Sequence, residues 1–425
     1  MRLQIPYGDT ELPFDLPDGG SVRVITPGCD ASEESPPPLS PSGDDELREI
    51  RRALREPIGA SPLSELAAHA SSAAVVVSDV TRPCPSYKFL PLVLRELRPL
   101  PPERISILFA LGGHRKHTPE EQALLVGEEV AESGVRLVDL DAGQCVPMGT
   151  TSRGTRLEVF KPYLDADLRI CTGNIEYHYF AGFSGGAKAV VPGMCSYAAI
   201  RDNHSMMLSP TARAGILDGN PVREDIDEAG GMVGIDYLFN VVLDEEKRIL
   251  HAVAGHYLEA HRAGVALYDA RCDLRVDEAA DVVIASPGGR PKDINLYQAQ
   301  KTLDNVGGAV RAGGVVVLVA RCPEGFGQST FESWMTDMGS PDVLVDRIRR
   351  EFVLGGHKAA AIAGLLQTVD VFLVSEFPDD VVRGMCMHPF ATVDAAVQAA
   401  IGRYGDDCRV LVVPHGNRVT AGAKA

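Results

Sequence analysis

Ala73-Ala74-Val75-Val76-Val77-Ser78, followed at once by Asp79-Val80-Thr81-Arg82-Pro83, is the stretch from which the fold can be read. Six small or β-branched residues with no polar face predict a strand covered on both sides, as in a parallel sheet. Beyond the turn, apolar residues from about Tyr87 to Leu97 recur at helical spacing, so the segment reads as one β-α unit. The unit repeats outward. Ile105 to Leu111 is a second strand, with a helix beginning near Thr118-Pro119-Glu120-Glu121, where Thr118 caps and the acids suit the helix dipole. Val135 to Leu140 and Leu168 to Cys171 read as further strands, and a second series runs through Val282–Ser286, Val315–Val319, Val371–Val374 and Val410–Val413. The expected fold class is α/β, with two lobes, each on a mainly parallel sheet flanked by helices, and the active site in the cleft between them. An N-terminal α/β domain is expected over residues 1–272 and a C-terminal one over 273–425, the boundary falling around Asp269 to Asp277. Ahead of these units, residues 3–25 turn at Gly8-Asp9 and Gly19-Gly20 and suggest a β-hairpin. The Ser-, Pro- and acid-rich segment from Asp30 to Asp45 suggests an exposed loop.

Composition narrows the function. With 58 acidic against 41 basic side chains the formal charge is -17, which repels phosphate backbones and anionic lipid, so no nucleic acid partner is expected. An anionic ligand must then be gathered by local Arg and Lys. The longest apolar runs, such as Val315 to Ala320, fall far short of the ~18–20 residues that span a bilayer, so no membrane insertion is expected. Scattered cysteines without a Cys-x-x-Cys pair, and a start lacking a secretory segment, lead to an expectation of a cytoplasmic protein.

In open α/β sheets ligands bind beyond the carboxyl ends of the strands. There this chain places Asp79 and Arg82, then Gly112-Gly113-His114-Arg115, then Glu176-Tyr177-His178. Asp beside Thr and Pro is also a common turn or cap residue, and Arg82 can simply pair with it. Two histidines and an arginine at successive strand ends are harder to assign to packing alone. Gly182-Phe183-Ser184-Gly185-Gly186-Ala187-Lys188 is a glycine-rich turn ending in lysine. Its backbone amides suit a phosphate, although the Ser or Thr that must come after the lysine in a Walker loop is replaced by Ala189. A tight turn with a solvated lysine is the plainer alternative. His204 falls in a helical stretch, and Tyr297 and Lys301 share one face of a helix with Gln298 beside them. His251, His256 and His261, spaced by five, read as surface or packing residues.

Together these motifs resemble the lactate racemase family that uses a nickel-pincer nucleotide. The residues that carry the resemblance are Asp79-x-Thr-Arg82-Pro, Gly-His114-Arg, Glu176-x-His178, Phe183-Ser-Gly-Gly-x-Lys188, His204 and Lys292-Asp-Ile-Asn-Leu-Tyr297-Gln298-x-x-Lys301. They span nearly the whole chain. The resemblance implies a racemase or epimerase of a 2-hydroxy acid, with a pyridinium mononucleotide bonded to Lys188 and nickel held by the cofactor and by the imidazole of His204. It implies hydride leaving Cα for that cofactor, with His114 and His178 as acid and base. It places Arg82, Tyr297, Gln298 and Lys301 on the substrate, and Asp79, Ser184, Gly185 and Gly186 with Lys188 on the cofactor side, Asp79 orienting Arg82 or a histidine. Cofactor-maturation enzymes become expected partners. Lactate-specific members carry a tryptophan in the second lobe where this chain has Leu354-Gly355-Gly356-His357-Lys358, and the single tryptophan, Trp334, lies earlier. A larger or more polar acid than lactate is therefore expected. Two other readings remain open from the residues: a zinc hydrolase using His114, His178 and His204, and a nucleotide-binding module without turnover.

Overall fold

In the computed structural model, which describes residues 1–16, 21–25, 42–82, 84–244, 246–272, 278–353, 355–405 and 407–416, the Ala73–Ser78 run is an interior strand of a six-stranded sheet. Across that sheet the order is Ile249–Gly255, Tyr237–Leu243, Leu168–Ile175, Ala73–Ser78, Ile105–Ala110 and Arg136–Asp139. Every neighbouring pair is parallel except Tyr237–Leu243 with Ile249–Gly255. Val75, Val76 and Val77 are all fully buried, each such side chain contributing about 1.5–3 kcal/mol over an exposed one. The helix Ser86–Glu96 beyond the turn buries Phe89, Leu90 and Val93 in the same core, which completes the β-α unit read from the sequence.

The second sheet is wholly parallel, in the order His388–Phe390, Asp370–Val374, Val310–Val319, Ala280–Ala285, Arg409–Val413 and Ser21–Val24. Its strands alternate between two cores. Val283, Ala285, Val316 and Leu318 face one, while Val282, Ile284, Val315 and Val317 face the other, as a period of two requires.

The chain divides into compact units Pro38–Arg271 and Met1–Pro37 with Cys272–Ala425. This differs from an N-terminal domain over residues 1–272. Ser21–Val24 adds as the edge strand beside Arg409–Val413, and Ile5, Phe14 and Leu16 bury themselves in the second unit's core, so the first strands belong with the C-terminal half. The hairpin is also shorter than expected, pairing Arg2–Tyr7 with Thr10–Asp15 around Gly8 at φ +60. Gly19-Gly20, residues 30–41 of the expected loop and most of the expected boundary segment lie outside the described residues. From Gly43 to Arg55 the chain is helical, because Ser42 and Asp45 form a reciprocal capping box. Among the described residues no helix is long and apolar enough to cross a membrane.

Candidate active site

Asp79 comes directly after its strand and is 2% exposed, so its carboxylate needs partners. His114 supplies one through Nδ1, its own side chain remaining 46% exposed. Thr81 supplies the others, its hydroxyl at 2.8 Å and its backbone N–H at 3.2 Å, both to Oδ1. Burial works to raise the Asp79 pKa, but the hydrogen bonds from His114 and Thr81 outweigh it and hold the carboxyl below its ordinary value. A carboxylate cannot donate, so Nδ1 of His114 carries the proton, and in the neutral ring Nε2 then holds the lone pair. The sequence offered Arg82 or a histidine as the partner of Asp79; it is His114. Arg82 is exposed in the same turn.

The lysine turn is built from both ends. Tyr177–His178 pairs antiparallel with Gly182–Phe183, and Gly185 and Gly186 then take φ +75 and +62 into a 3-10 turn over Gly186–Ala189. A Cβ on Gly185 would lie 2.6 Å from Asn240 Oδ1, and one on Gly186 would lie 2.9 Å from the His261 ring, so glycine is required at both positions. Two amides of the turn expected to cradle a phosphate are engaged within the protein. Ser184 N–H donates to Glu176 O at 2.8 Å and Gly186 N–H to Asn240 Oδ1 at 2.8 Å, while the Ser184 hydroxyl donates to Asn174 O at 2.7 Å. The turn is therefore a rigid mount for Lys188.

Residues distant in sequence hold that mount. Arg223, fully buried on the helix Pro221–Val233, donates to the carbonyls of Ala181 and Phe183. His261, also fully buried, donates from Nε2 to Ser184 O at 2.8 Å. Burial and then the Arg223 charge keep this imidazole neutral, far below its usual range, which leaves one N–H for that carbonyl. Of the surface and packing readings, the second holds for His261, which is an internal support of the turn. Arg223, His261 and Asn240 were all missed, and the only signal available was a polar residue set among apolar neighbours in each element.

Lys188, His178, Arg82 and His204 come together around this mount. Burial and then the charges of Arg82 and Arg223 push the Lys188 ammonium well below its ordinary range, opposed by Glu176. Burial and then Lys188, Arg82, His204 and Arg223 do the same to His178, which is neutral and accepts the Ala181 N–H at Nδ1 from 3.3 Å. The rings of His178 and His204 both pack edge-on against Phe180, with centroids 4.6 and 4.7 Å away. His204 lies on the helix Tyr197–Ser205, capped by Ser196. Its Nδ1 is 3.1 Å from Asn203 Oδ1, and the Asn203 amide nitrogen donates to Asp225 at 2.7 Å and to Val222 O at 3.3 Å. Those two acceptors fix the amide, so Nδ1 of His204 carries the proton and Nε2 the lone pair. Among the described residues no three His, Cys, Asp or Glu side chains form a metal cluster, so the three-histidine zinc site is not assembled.

In the other unit, Tyr297, Gln298 and Lys301 lie on the helix Leu296–Val306, whose cap is Asn295, and Lys301 Nζ donates to Gln298 Oε1 at 2.9 Å. His357 and Lys358, in the segment that stands where lactate-specific members carry a tryptophan, are each 4% exposed. Lys358 Nζ donates to Tyr297 O at 2.7 Å and lies 3.8 Å from the centroid of that ring, and burial followed by the Lys358 charge lowers the His357 pKa to about 4. Both side chains therefore have packing roles. Trp334 is buried in the same core, with the Arg347 guanidinium 4.2 Å from its ring centroid.

Comparison with known proteins places the chain by family and fold. Residues 7–215 match the family model for the lactate racemase N-terminal domain, and residues 276–421 match that for the lactate racemase C-terminal domain. A lactate racemase of Thermoanaerobacterium thermosaccharolyticum is 32% identical over 98% of both chains, and one of Lactiplantibacillus plantarum is 35% identical over 87% of this chain and 90% of that one. The solved apoprotein from Thermoanaerobacterium thermosaccharolyticum superposes with a TM-score of 0.86 at 32% identity, covering 99% of this chain and 100% of that one. A Thermotoga maritima protein, 18% identical with a TM-score of 0.60 over 90% of this chain and 98% of its own, shares the fold.

Proposed function

This chain belongs to the lactate racemase family, and on that premise we propose the part each of its side chains plays. The enzyme is an isomerase that racemises or epimerises a 2-hydroxy acid with a nickel-pincer nucleotide bonded to a lysine. We take that lysine to be Lys188. An amine whose proton is disfavoured by its surroundings is the form that can bond to an acyl-type carbon, and the turn that carries it is held rigid from several sides. His204 is the proposed nickel ligand, since a donated Nδ1–H leaves Nε2 for the metal and nickel accepts imidazole beside soft sulfur.

When bound, the group supplies a reversible acceptor for hydride from the substrate Cα. The chain's own residues manage the protons and the carboxylate. His114, its Nδ1–H anchored on Asp79, presents the Nε2 lone pair that takes the substrate hydroxyl proton. His178, with Nδ1 accepting the Ala181 N–H, presents Nε2–H as a hydrogen-bond donor to the substrate oxygen, and its part as the second acid and base group is assigned by family resemblance. Arg82 would hold the carboxylate, with Tyr297, Gln298 and Lys301 assigned to the substrate by family resemblance. Loss of hydride flattens Cα into a 2-keto acid, and return to the other face inverts it.

A substrate bulkier or more polar than lactate belongs to the same proposal, supported by the single tryptophan being committed to the core beside Gly356. So do cofactor-maturation enzymes as partners and a cytoplasmic location. The observation that carries the role assignment is that His178 and His204 both pack on Phe180 close to the mount of Lys188, with the Arg82 charge acting on both Lys188 and His178. Co-expression with a cofactor-producing pathway, then intact-mass analysis and a panel of chiral 2-hydroxy acids, tests it. The expected result is an adduct on Lys188 and inversion with retention of a Cα deuterium. Inversion with an unmodified Lys188, or deuterium washed out to solvent, would overturn it.

A further inference from the structure

Three residues after His114 stands a second histidine that neither the motifs nor the proposed chemistry uses. The His117 side chain is 1% exposed, although the stretch from Gly113 to Lys116 is exposed around it. Its Nδ1 is 2.7 Å from Asp139 Oδ1, and its own backbone N–H donates to the other oxygen of that carboxylate at 2.8 Å. On the far side of the ring, Nε2 accepts the backbone N–H of Val80 at 3.1 Å. A backbone N–H can only donate, so Nε2 must hold a lone pair and Nδ1 the proton, which the Asp139 carboxylate then accepts. The Phe109 ring packs edge-on at 5.1 Å and keeps the imidazole from turning.

Val80 is the residue after Asp79, so the peptide plane that His117 grips is the one leaving the carboxylate that holds His114. Asp139 ends the strand Arg136–Asp139, a rigid anchor in the first sheet. Two loops are thereby joined twice, once by Asp79 to His114 and once by Val80 to His117. We propose that His117, held by Asp139, is a positioning residue that fixes the Asp79-bearing turn so that the carboxylate meets Nδ1 of His114. This rests on the reading of His114 as an acid and base group. The path runs by hydrogen bonds from Asp139 to His117 to the Val80 N–H, through the peptide bond to Asp79, and by a hydrogen bond to His114, the one exposed titratable side chain on it.

Two substitutions separate the bonds. His117→Gln can reach Val80 with its amide oxygen and so keeps the acceptor, whereas His117→Asn can still donate to Asp139 but is too short for Val80. The full-length apoprotein, labelled at histidine with 15N, reports whether the His114 Nδ1–H resonance stays slowly exchanging. The loaded enzyme reports kcat and KM on whichever 2-hydroxy acid the wild type inverts fastest. His117→Asn is expected to broaden or lose the His114 resonance and to lower kcat about tenfold, the loss of one net hydrogen bond, with KM changing less than about twofold. His117→Gln is expected to keep the resonance and most of the turnover. Should His117→Asn fail to fold, Asp139→Asn, which keeps the shape and weakens the anchor, is expected to broaden the same resonance to a smaller extent. A sharp His114 resonance in His117→Asn or in Asp139→Asn, or equal loss of the resonance in the Asn and Gln variants, would overturn the proposal. The magnetic-resonance arm needs no turnover. A wild type that inverts nothing would therefore sink the catalytic reading alone, whereas an inverting wild type with an unmoved resonance would sink the positioning role alone.

Discussion

Asp79→Asn is the change whose consequence the geometry defines most tightly. The Thr81 hydroxyl and N–H both donate to Oδ1 of Asp79, so the amide oxygen of asparagine must take that place. Its NH2 group is then forced toward Nδ1 of His114, where the wild type has an acceptor. Two donors cannot face each other, so the imidazole must move its proton to Nε2, and the lone pair that would take the substrate proton is lost. One charge-assisted hydrogen bond, worth about 1.5–3 kcal/mol, disappears from the arrangement that leads to turnover, which corresponds to roughly a 10- to 150-fold loss in kcat. The assay is chiral chromatography of product formed from a single enantiomer by loaded enzyme, with intact mass confirming equal adduct on Lys188. Turnover within twofold of wild type at equal loading would refute the argument. Stability should respond with a definite sign. The Asp79 carboxyl lies below its ordinary value in the folded chain, so its contribution is present above the unfolded pKa of about 3.9 and is lost as pH falls through the folded value. Asp79→Asn should flatten the acid side of the Tm curve accordingly.

Lys188→Met should abolish the mass adduct yet raise the Tm of the apoprotein at pH 7. The folded amine binds its proton less well than the unfolded one, so stability is lost as pH falls from about 10.4 toward the folded value, and methionine removes that loss; a Tm gap that does not narrow near pH 10 would count against this. His261→Leu leaves the buried Ser184 carbonyl without its donor and should cost about 1–3 kcal/mol in denaturant unfolding, together with slower adduct formation. His204→Ala should keep the adduct by intact mass while nickel per chain, read by elemental analysis, falls; full nickel retention would remove His204 from the metal.

The strands were legible because a buried parallel strand must be apolar on both faces, and Ala73–Ser78 or Val315–Val319 announce this in their own residues. The site was legible in part for a related reason. Asp79, His114 and His178 sit at strand ends, and Lys188 ends a glycine turn, so local chain order already brings reactive types to the face where ligands bind. The residues that support them were not legible. Arg223 meets Phe183 from 40 residues away, His261 meets Ser184 from 77, and His117 meets Val80 from 37.

Short-range patterning was enough to set the β-α units and the identity of the reactive side chains. It took the folded arrangement to show that the first strands complete the second sheet, how the glycine turn that carries the lysine is held, and which histidine the Asp79 carboxylate grips. A hydrogen bond is a contact of about 3 Å with a required direction, and no periodicity along a chain reports which distant donor will arrive there. Burial then makes each of those unpredicted pairings obligatory, because an unpartnered polar group inside the protein costs more than the bond itself contributes.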